Sequence, residues 1–388
     1  MMSADWTAIR RRLAVRRTAH RPPRGRRQVG HSSIVAPLAA TLAASVVVGV
    51  GVALAAAERT RRSTKAQRAR ERRFAPLPDE PLGEALQRMA LGQLDLAIEL
   101  LSGEGNGVWK GEGNAPNERA IHETRKALKR LRALLRLLRH ELGERCFARE
   151  YGILRVAAQR LAGARDAEVM VATLDALLQR HPRKLARRRA LIELRELLAC
   201  ERLAAAQRAL GEHATRAEVL CELTDLRDRV QRWCLPERPG IAIVESDLRW
   251  IYRQGRRRHR RAGRSVIGGR PKDATRALHE WRKRVKDLRY AAEMLGLRPL
   301  ARRADTLGEL LGEEHDLALL AALIPAGGHG PLRGKRGKHA RKALLGKIAQ
   351  RRRRLRKRAL REGERLYRRK PKKFTRRVRR AHARASRV

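Results

Sequence analysis

The chain has 388 residues, enough for two domains or for one large domain built from two halves. Its 92 Lys and Arg against 40 Asp and Glu give a formal net charge of +52, which a folded body must hold together against its own repulsion. An abundant polyanion is therefore the default partner: nucleic acid, an acidic membrane or another phosphate polymer. Hydrophobic residues at 43% provide for a sizeable core and exclude a merely disordered basic tail.

Residues 1–33 form a basic N-terminal segment with nine arginines from Arg10 to Arg27. Residues 34–57, "IVAPLAATLAASVVVGVGVALAAA", carry no charge over 24 positions. At about 1.5 Å per residue a helix of that length crosses the hydrocarbon core, so a single-pass anchor is expected there. A basic linker, 58–75, follows with eight Arg and Lys between Arg59 and Arg73, so the flanking charge is nearly balanced and assigns no orientation. Two alternatives stay open. One is a signal peptide cut near Ala53-Leu54-Ala55, for which a leader of 33 residues is long; the other is an extension outside the working product.

From Pro76 onward the chain reads as helix after helix, and no stretch alternates with period two for long enough to make a strand. The class is all-α. Apolar residues at three- and four-residue spacing over 81–101 give the first helix, and a Gly/Asn-rich loop over 102–118 ends it. Helices are expected at about 118–141, 147–162, 166–180, 183–210 and 215–234. "LPERPG" at 235–240 marks a mid-chain boundary. Then come 243–262, a Gly-rich loop "GRSVIGGRPKD", 273–296, 299–312, 315–323 and one long basic helix from about 337.

The four cysteines, Cys146, Cys200, Cys221 and Cys234, have no CxxC spacing and read as reduced core thiols of a cytosolic protein. "HETRK" at 122–126 and "HEWRK" at 279–283 lack the second histidine of a zinc-protease helix; neither a metal nor a cofactor is expected.

Those two segments carry the main signal. His122, Glu123, Arg125, Lys126, Lys129 and Arg132 recur as His279, Glu280, Arg282, Lys283, Lys286 and Arg289, all at an offset of 157 residues. Asp166 and Asp316, offset by 150, suggest that a multi-helix unit is repeated; each is expected to cap a helix start. On a helical wheel Lys129 lies about 20° from His122, Lys126 and Arg136 about 40°, Arg125 about 60° and Arg132 about 80°. Leu128, Leu131, Leu134, Leu135 and Leu138 occupy the opposite face. In the second copy Tyr290 joins the cationic side, and Val285, Leu288, Ala291, Ala292 and Leu295 the apolar one. A further basic stripe runs through Arg249, Arg253, Arg256, Arg257 and Arg260. Most other arginines, Arg351 to Arg354 among them, read as a solvated face. The two ladders do not, because their faces lack the interspersed Glu of an ordinary charged surface. Facing one another, they would form a positive channel stabilised by a polyanion.

The paired H-E-x-R-K-x-x-K-x-x-R helices, with "GARDAEV" at 163–169, "DEPLGEALQRM" at 79–89 and "LYRRKPKKF" at 366–374, resemble the CHAD family, the conserved histidine α-helical domain. The resemblance covers roughly 76–375, with halves 76–238 and 239–375 and a basic tail at 376–388. It implies two four-helix bundles related by pseudo-twofold symmetry. Basic residues on their facing helices would bind inorganic polyphosphate. The binding set is then His122, Arg125, Lys126, Lys129, Arg132, Arg136, Arg253, Arg256, Arg257, Arg260, His279, Arg282, Lys283, Lys286, Arg289 and Tyr290. The chain departs from the pattern with "GEEHD" at 312–316, which sets His315 against Arg165 of the first half. It also lacks the Glu-x-Glu-x-Lys signature of the triphosphate-tunnel catalytic domain fused to some relatives, so no catalysis is expected.

The chemistry agrees with that partner. Polyphosphate has no bases, so its receptor needs repeated Lys and Arg along a rigid helix, where residues four apart rise about 6 Å, and nothing to stack on. His122 and His279 would donate once protonated, while Glu123 and Glu280 would tether neighbouring cations. A nucleic-acid binder is the main rival, since a surface this basic has weak nonspecific affinity by counterion release. Aromatics at 3% argue against stacked single strands. A phosphohydrolase would want clustered carboxylates to hold a cation, which the ladder faces do not offer. The expected location is the cytoplasm, the cytoplasmic face of a membrane through residues 34–57, or a polyphosphate granule; the oligomeric state stays open.

Overall fold

In the first motif helix, leucines recurring every three or four residues leave one face that must be buried, and the fold is arranged around such faces. A computed structural model describes residues 74–77, 80–103, 118–161, 163–211, 213–324 and 330–385. The helices are α1 (Leu82–Ser102), α2 (Glu118–Leu137), α3 (Arg139–Arg160), α4 (Gly163–Arg180), α5 (Arg189–Gly211), α6 (His213–Gln231), α7 (Glu245–Gly268), α8 (Pro271–Met294), α9 (Arg298–Leu323), α10 (Gly334–Leu366) and α11 (Pro371–Ala385). Among the described residues there is no strand. None of their helices is long and apolar enough to cross a membrane. The candidate span 34–57 lies outside the described residues.

Helix α2 packs on α1 and α3, α8 on α7 and α9, and α2 and α8 meet each other. Helix α4 lies on α5 and also reaches α9, which packs on α10. The expected apolar faces are the ones buried: Leu128, Leu131, Leu134, Leu135 and Leu138 on α2, and Val285, Leu288, Ala291, Ala292 and Leu295 on α8. Burying each such leucine stabilises the fold by about 1.5–3 kcal/mol relative to leaving it exposed.

Where α7, α8 and α10 converge, the side chains are aromatic. Trp281 and Tyr252 are fully buried, and His259 stands 4.9 Å from Trp281, ring centre to ring centre. Gly363 of α10 lets that helix approach so closely that a Cβ there would collide with the Trp281 ring, and one at Gly255 would collide with Tyr367. The Tyr252 hydroxyl donates to the carbonyls of Leu366 (3.1 Å) and Arg369 (3.2 Å), fixing the corner between α10 and α11.

Several expected boundaries move. The Gly-rich loop is mostly helix, because α7 continues to Gly268 and Pro271 starts α8 at a position where its missing N–H costs nothing. The helices expected at 299–312 and 315–323 are one continuous α9, so Asp316 sits inside a helix and does not cap one. Asp166 does lie in the first turn of α4. The long C-terminal helix is broken after Leu366, and α11 begins at Pro371. Helix α3 starts directly after α2 and bends at Gly143, whose φ of 74° is open to glycine and strained for other residues. The cysteines are not core thiols. Cys146 is half-buried, while Cys200, Cys221 and Cys234 are exposed, and all four are free.

Candidate functional site

Because α2 and α8 turn their leucine faces inward, their cations crowd the opposite sides. On α2, His122, Arg125, Lys126, Lys129 and Arg132 are half-buried. Arg125 donates to the Leu161 carbonyl at 2.7 Å, which ties α2 to the end of α3. The tethers expected of the motif glutamates are present in both copies: Glu123 pairs with Lys126 at 3.5 Å and Glu280 with Lys283 at 2.7 Å.

Two expected site residues turn inward instead. Arg136 is buried in an ion pair with Asp287 (2.9 Å), to which Arg284 also pairs (3.1 Å), and it donates to the Tyr151 hydroxyl. A guanidinium in that position needs a carboxylate, so Arg136 braces α2 against α8 and its charge is already matched. Tyr290 is likewise buried, with the Arg289 guanidinium 5.6 Å from its ring centre; it forms part of the packing and is not open to a ligand.

Beside α8 lies a cavity of about 520 Å³, walled by α4, α8 and α9. Its cations are Arg282, Lys286 and Arg289 from α8 and Arg180 from α4. Against them stand Asp305, Glu309, Glu313 and Asp316, all from α9. The carboxylates missing from the ladder faces are thus supplied by the neighbouring helix. Arg289 pairs with Glu293 (2.8 Å) and with Asp305, and Glu313 holds both Arg180 (3.0 Å) and Arg351 (2.6 Å). Arg351 and Arg352 are accordingly not a solvated pair, since Arg352 meets the buried Glu314 at 2.8 Å. Only Arg353 and Arg354 of that run are exposed.

Arg282 and Lys286 are the cavity cations with the least compensation. The Arg282 guanidinium lies over Gly312, and its Nε is buried without a hydrogen-bond partner. Lys286 is pushed down to about 7, first by burial, then by the charges of Arg282 and Lys129; the pull of Asp316 is outweighed. The influence of Lys129 on Lys286 marks where the two motif copies meet. The imidazoles of His279 and His315 lie beside them, 4.3 Å between ring centres, and both Nδ1 atoms are buried without a partner. Burial, with neighbouring cations adding to it, holds His279 at about 4 and His315 at about 3. Both rings are therefore neutral at pH 7 in the free protein.

The arginine stripe of α7 is somewhere else. Arg253, Arg256, Arg257 and Arg260 share no lining residue with the cavity; with Arg264 and Pro371 they line a separate groove of about 260 Å³. Arg249, at the head of the stripe, is matched to Glu245 at 2.7 Å and does not line the groove.

Sequence reasoning missed Arg180, His315 as the partner of His279, and the acidic wall of α9. The wall had a signal: Asp305, Glu309, Glu313 and Asp316 fall within about 80° of one another on a helical wheel. Ending the helix at 312 hid it. Among the described residues no group of three or more His, Cys, Asp or Glu is placed to hold a metal ion.

No curated protein matches the chain. The profile of the CHAD domain matches residues 92–325, more than half of the length and inclusive of both motif helices, the cavity walls and the α7 stripe. By that match the chain belongs to the CHAD-domain family, a family associated with polyphosphate.

Proposed function

We propose that this chain binds inorganic polyphosphate, without catalysing its turnover, where the ladders of α2 and α8 meet. The observation that carries the reading is the placement of Lys286 among Arg282 and Lys129, where burial and like charge together outweigh the nearby Asp316. Such a cluster is stabilised by a multivalent anion. Phosphate oxygens supply acceptors for Arg282 Nε and for the N–H groups of the neutral His279 and His315 rings. Lys126, Lys129, Arg132 and Lys283 continue the ladders beyond the cavity. The same reading takes α1–α6 and α7–α11 as two copies of one bundle, in which the α1–α2 and α7–α8 pairings correspond. It places the protein in the cytoplasm or on the cytoplasmic face of a membrane, where it would recruit polyphosphate.

The test is a competition titration at about 0.15 M salt. Labelled long-chain polyphosphate is displaced by unlabelled polymer, duplex DNA or RNA, with a Lys129/Lys286/Arg282→Gln variant in parallel. Polyphosphate should win by orders of magnitude per phosphate, and the variant should lose that advantage. Equal competition by DNA or RNA, unaltered in the variant, would replace this reading with general polyanion binding.

A further inference from the structure

The cavity and the α7 groove differ in one decisive respect. The cavity sets four cations against four carboxylates, whereas the groove is lined by Arg253, Arg256, Arg257, Arg260 and Arg264 with only Pro371 between them. Some surface arginines elsewhere do meet an acid, as in Arg195 with Asp175 (2.6 Å) and Arg227 with Asp95 (2.5 Å). Among the described residues no carboxylate lines the groove.

A solvated basic helix would be the plain explanation, but two features oppose it. Arginines three and four residues apart on one face repel each other, and no interspersed Glu relieves them. The stripe is also not a free ridge: its exposed arginines share a groove with Pro371, at the start of α11. That helix start is held firmly. Arg256 Nε donates to the Tyr367 carbonyl (3.1 Å), and Phe374 stacks on Tyr252 with ring centres 3.8 Å apart. The first of these contacts fixes Arg256; the remaining four guanidiniums stay available along about 16 Å of helix.

From this geometry we infer that the groove between α7 and α11 is a second anion site, independent of the cavity, which takes a short run of bare phosphates. The inference rests on the polyphosphate reading of the chain for the identity of the polymer, and on the groove alone for its place. A nucleic acid fits less well, since no aromatic lines the groove and the aromatics behind it are buried against one another. A lipid surface fits less well too, because a membrane-docking face protrudes and this one is concave.

The experiment is calorimetric titration of the full chain with tripolyphosphate. It compares wild type, a groove variant Arg253/Arg257/Arg260→Gln that leaves Arg256 in place, and a cavity variant Lys129/Lys286→Gln. Wild type should bind two equivalents and each variant one, with circular dichroism unchanged in the groove variant because the replaced side chains are exposed. The groove variant should also bind long-chain polyphosphate at least tenfold more weakly. An undiminished stoichiometry in the groove variant overturns the inference. So does a groove variant that loses affinity only for duplex DNA or for anionic phosphatidylserine vesicles. A cavity variant that still binds both equivalents leaves the groove standing and removes the cavity from the proposed function, so the two readings fail separately.

Discussion

The cavity beside α8 and the groove beside α7 are both cationic sites, and they handle charge in opposite ways. In the cavity, burial forces partial compensation: Arg289 has Glu293 and Asp305, Arg180 has Glu313, and only Arg282 and Lys286 stay exposed to mutual repulsion. In the groove the guanidiniums stand at the surface, where water and salt soften their repulsion without removing it, and no carboxylate of the described residues lines them. Depth therefore sets how much charge a site keeps for a ligand. A deep cationic site is sensitive to protonation, and a shallow one responds mainly to salt.

The largest expected effect comes from removing the frame of the deep site. Asp287→Ala strands Arg136 and Arg284, one of them buried, and should destabilise the protein by about 3–5 kcal/mol in denaturant unfolding with an unaltered m-value. A loss under about 1 kcal/mol would mean that the Tyr151 contact or water already satisfies Arg136, and that α2 and α8 are not braced through this pair. Next in size is Gly363→Ala, which drives a methyl group against Trp281 where α7, α8 and α10 meet. It should cost about 1–3 kcal/mol by overpacking, measured in the same way. Because α7 carries the groove and α8 the cavity, this variant should weaken phosphate binding at both.

Protonation separates the two regions cleanly. Lys286 has its folded value near 7, well below the ordinary lysine value, so between about 7 and that value the unfolded chain holds a proton that the folded chain has released. Stability from this group consequently rises with pH across that window and is lowest below 7, where the folded chain must hold the buried charge. Anion binding reverses the balance by returning the proton. At pH 8 tripolyphosphate should bind the cavity with uptake of close to one proton, seen as a dependence of the calorimetric heat on buffer ionisation. Its affinity should fall by up to about tenfold per pH unit above 7. Lys286→Met should remove both effects. The Lys129/Lys286→Gln variant, which keeps the groove as its phosphate site, should show no such uptake.

How much of this was legible in the sequence follows from the same physics. The leucine faces of α2 and α8 were, because burial requires one periodic stripe and the wheel gives it directly. The tethers of Glu123 and Glu280 were legible too, being local contacts three residues apart. Arg136 and Tyr290 were not: a wheel assigns them to the cationic face of their own helix, and only the approach of α8 to α2 turns that edge into an interior. The acidic wall of α9 was half legible. Its stripe exists in the sequence, but that it opposes Arg282 and Lys286 is a matter of which helices pack together. Residues four apart on the α7 stripe could be read as one row, yet nothing local says that the row belongs to a different site from the ladders.

The smallest effect is the sharpest test of the comparison. Arg257→Gln changes an exposed guanidinium in a groove that no carboxylate of the described residues lines, so stability should stay within about 0.5 kcal/mol. The plot of log affinity for long-chain polyphosphate against log salt should nevertheless flatten by about 0.7, the loss of one phosphate contact on a single-stranded polyanion. Arg289→Gln in the cavity removes the same charge, but from a side chain already held by Glu293 and Asp305. That arginine releases little counterion when the ligand arrives, so its loss should leave the slope nearly unchanged. Equal flattening by the two variants would mean that the cavity ion pairs open to admit the polymer, and that the acidic wall of α9 acts as a displaceable mimic of the ligand, not as a permanent limit on the charge of the site.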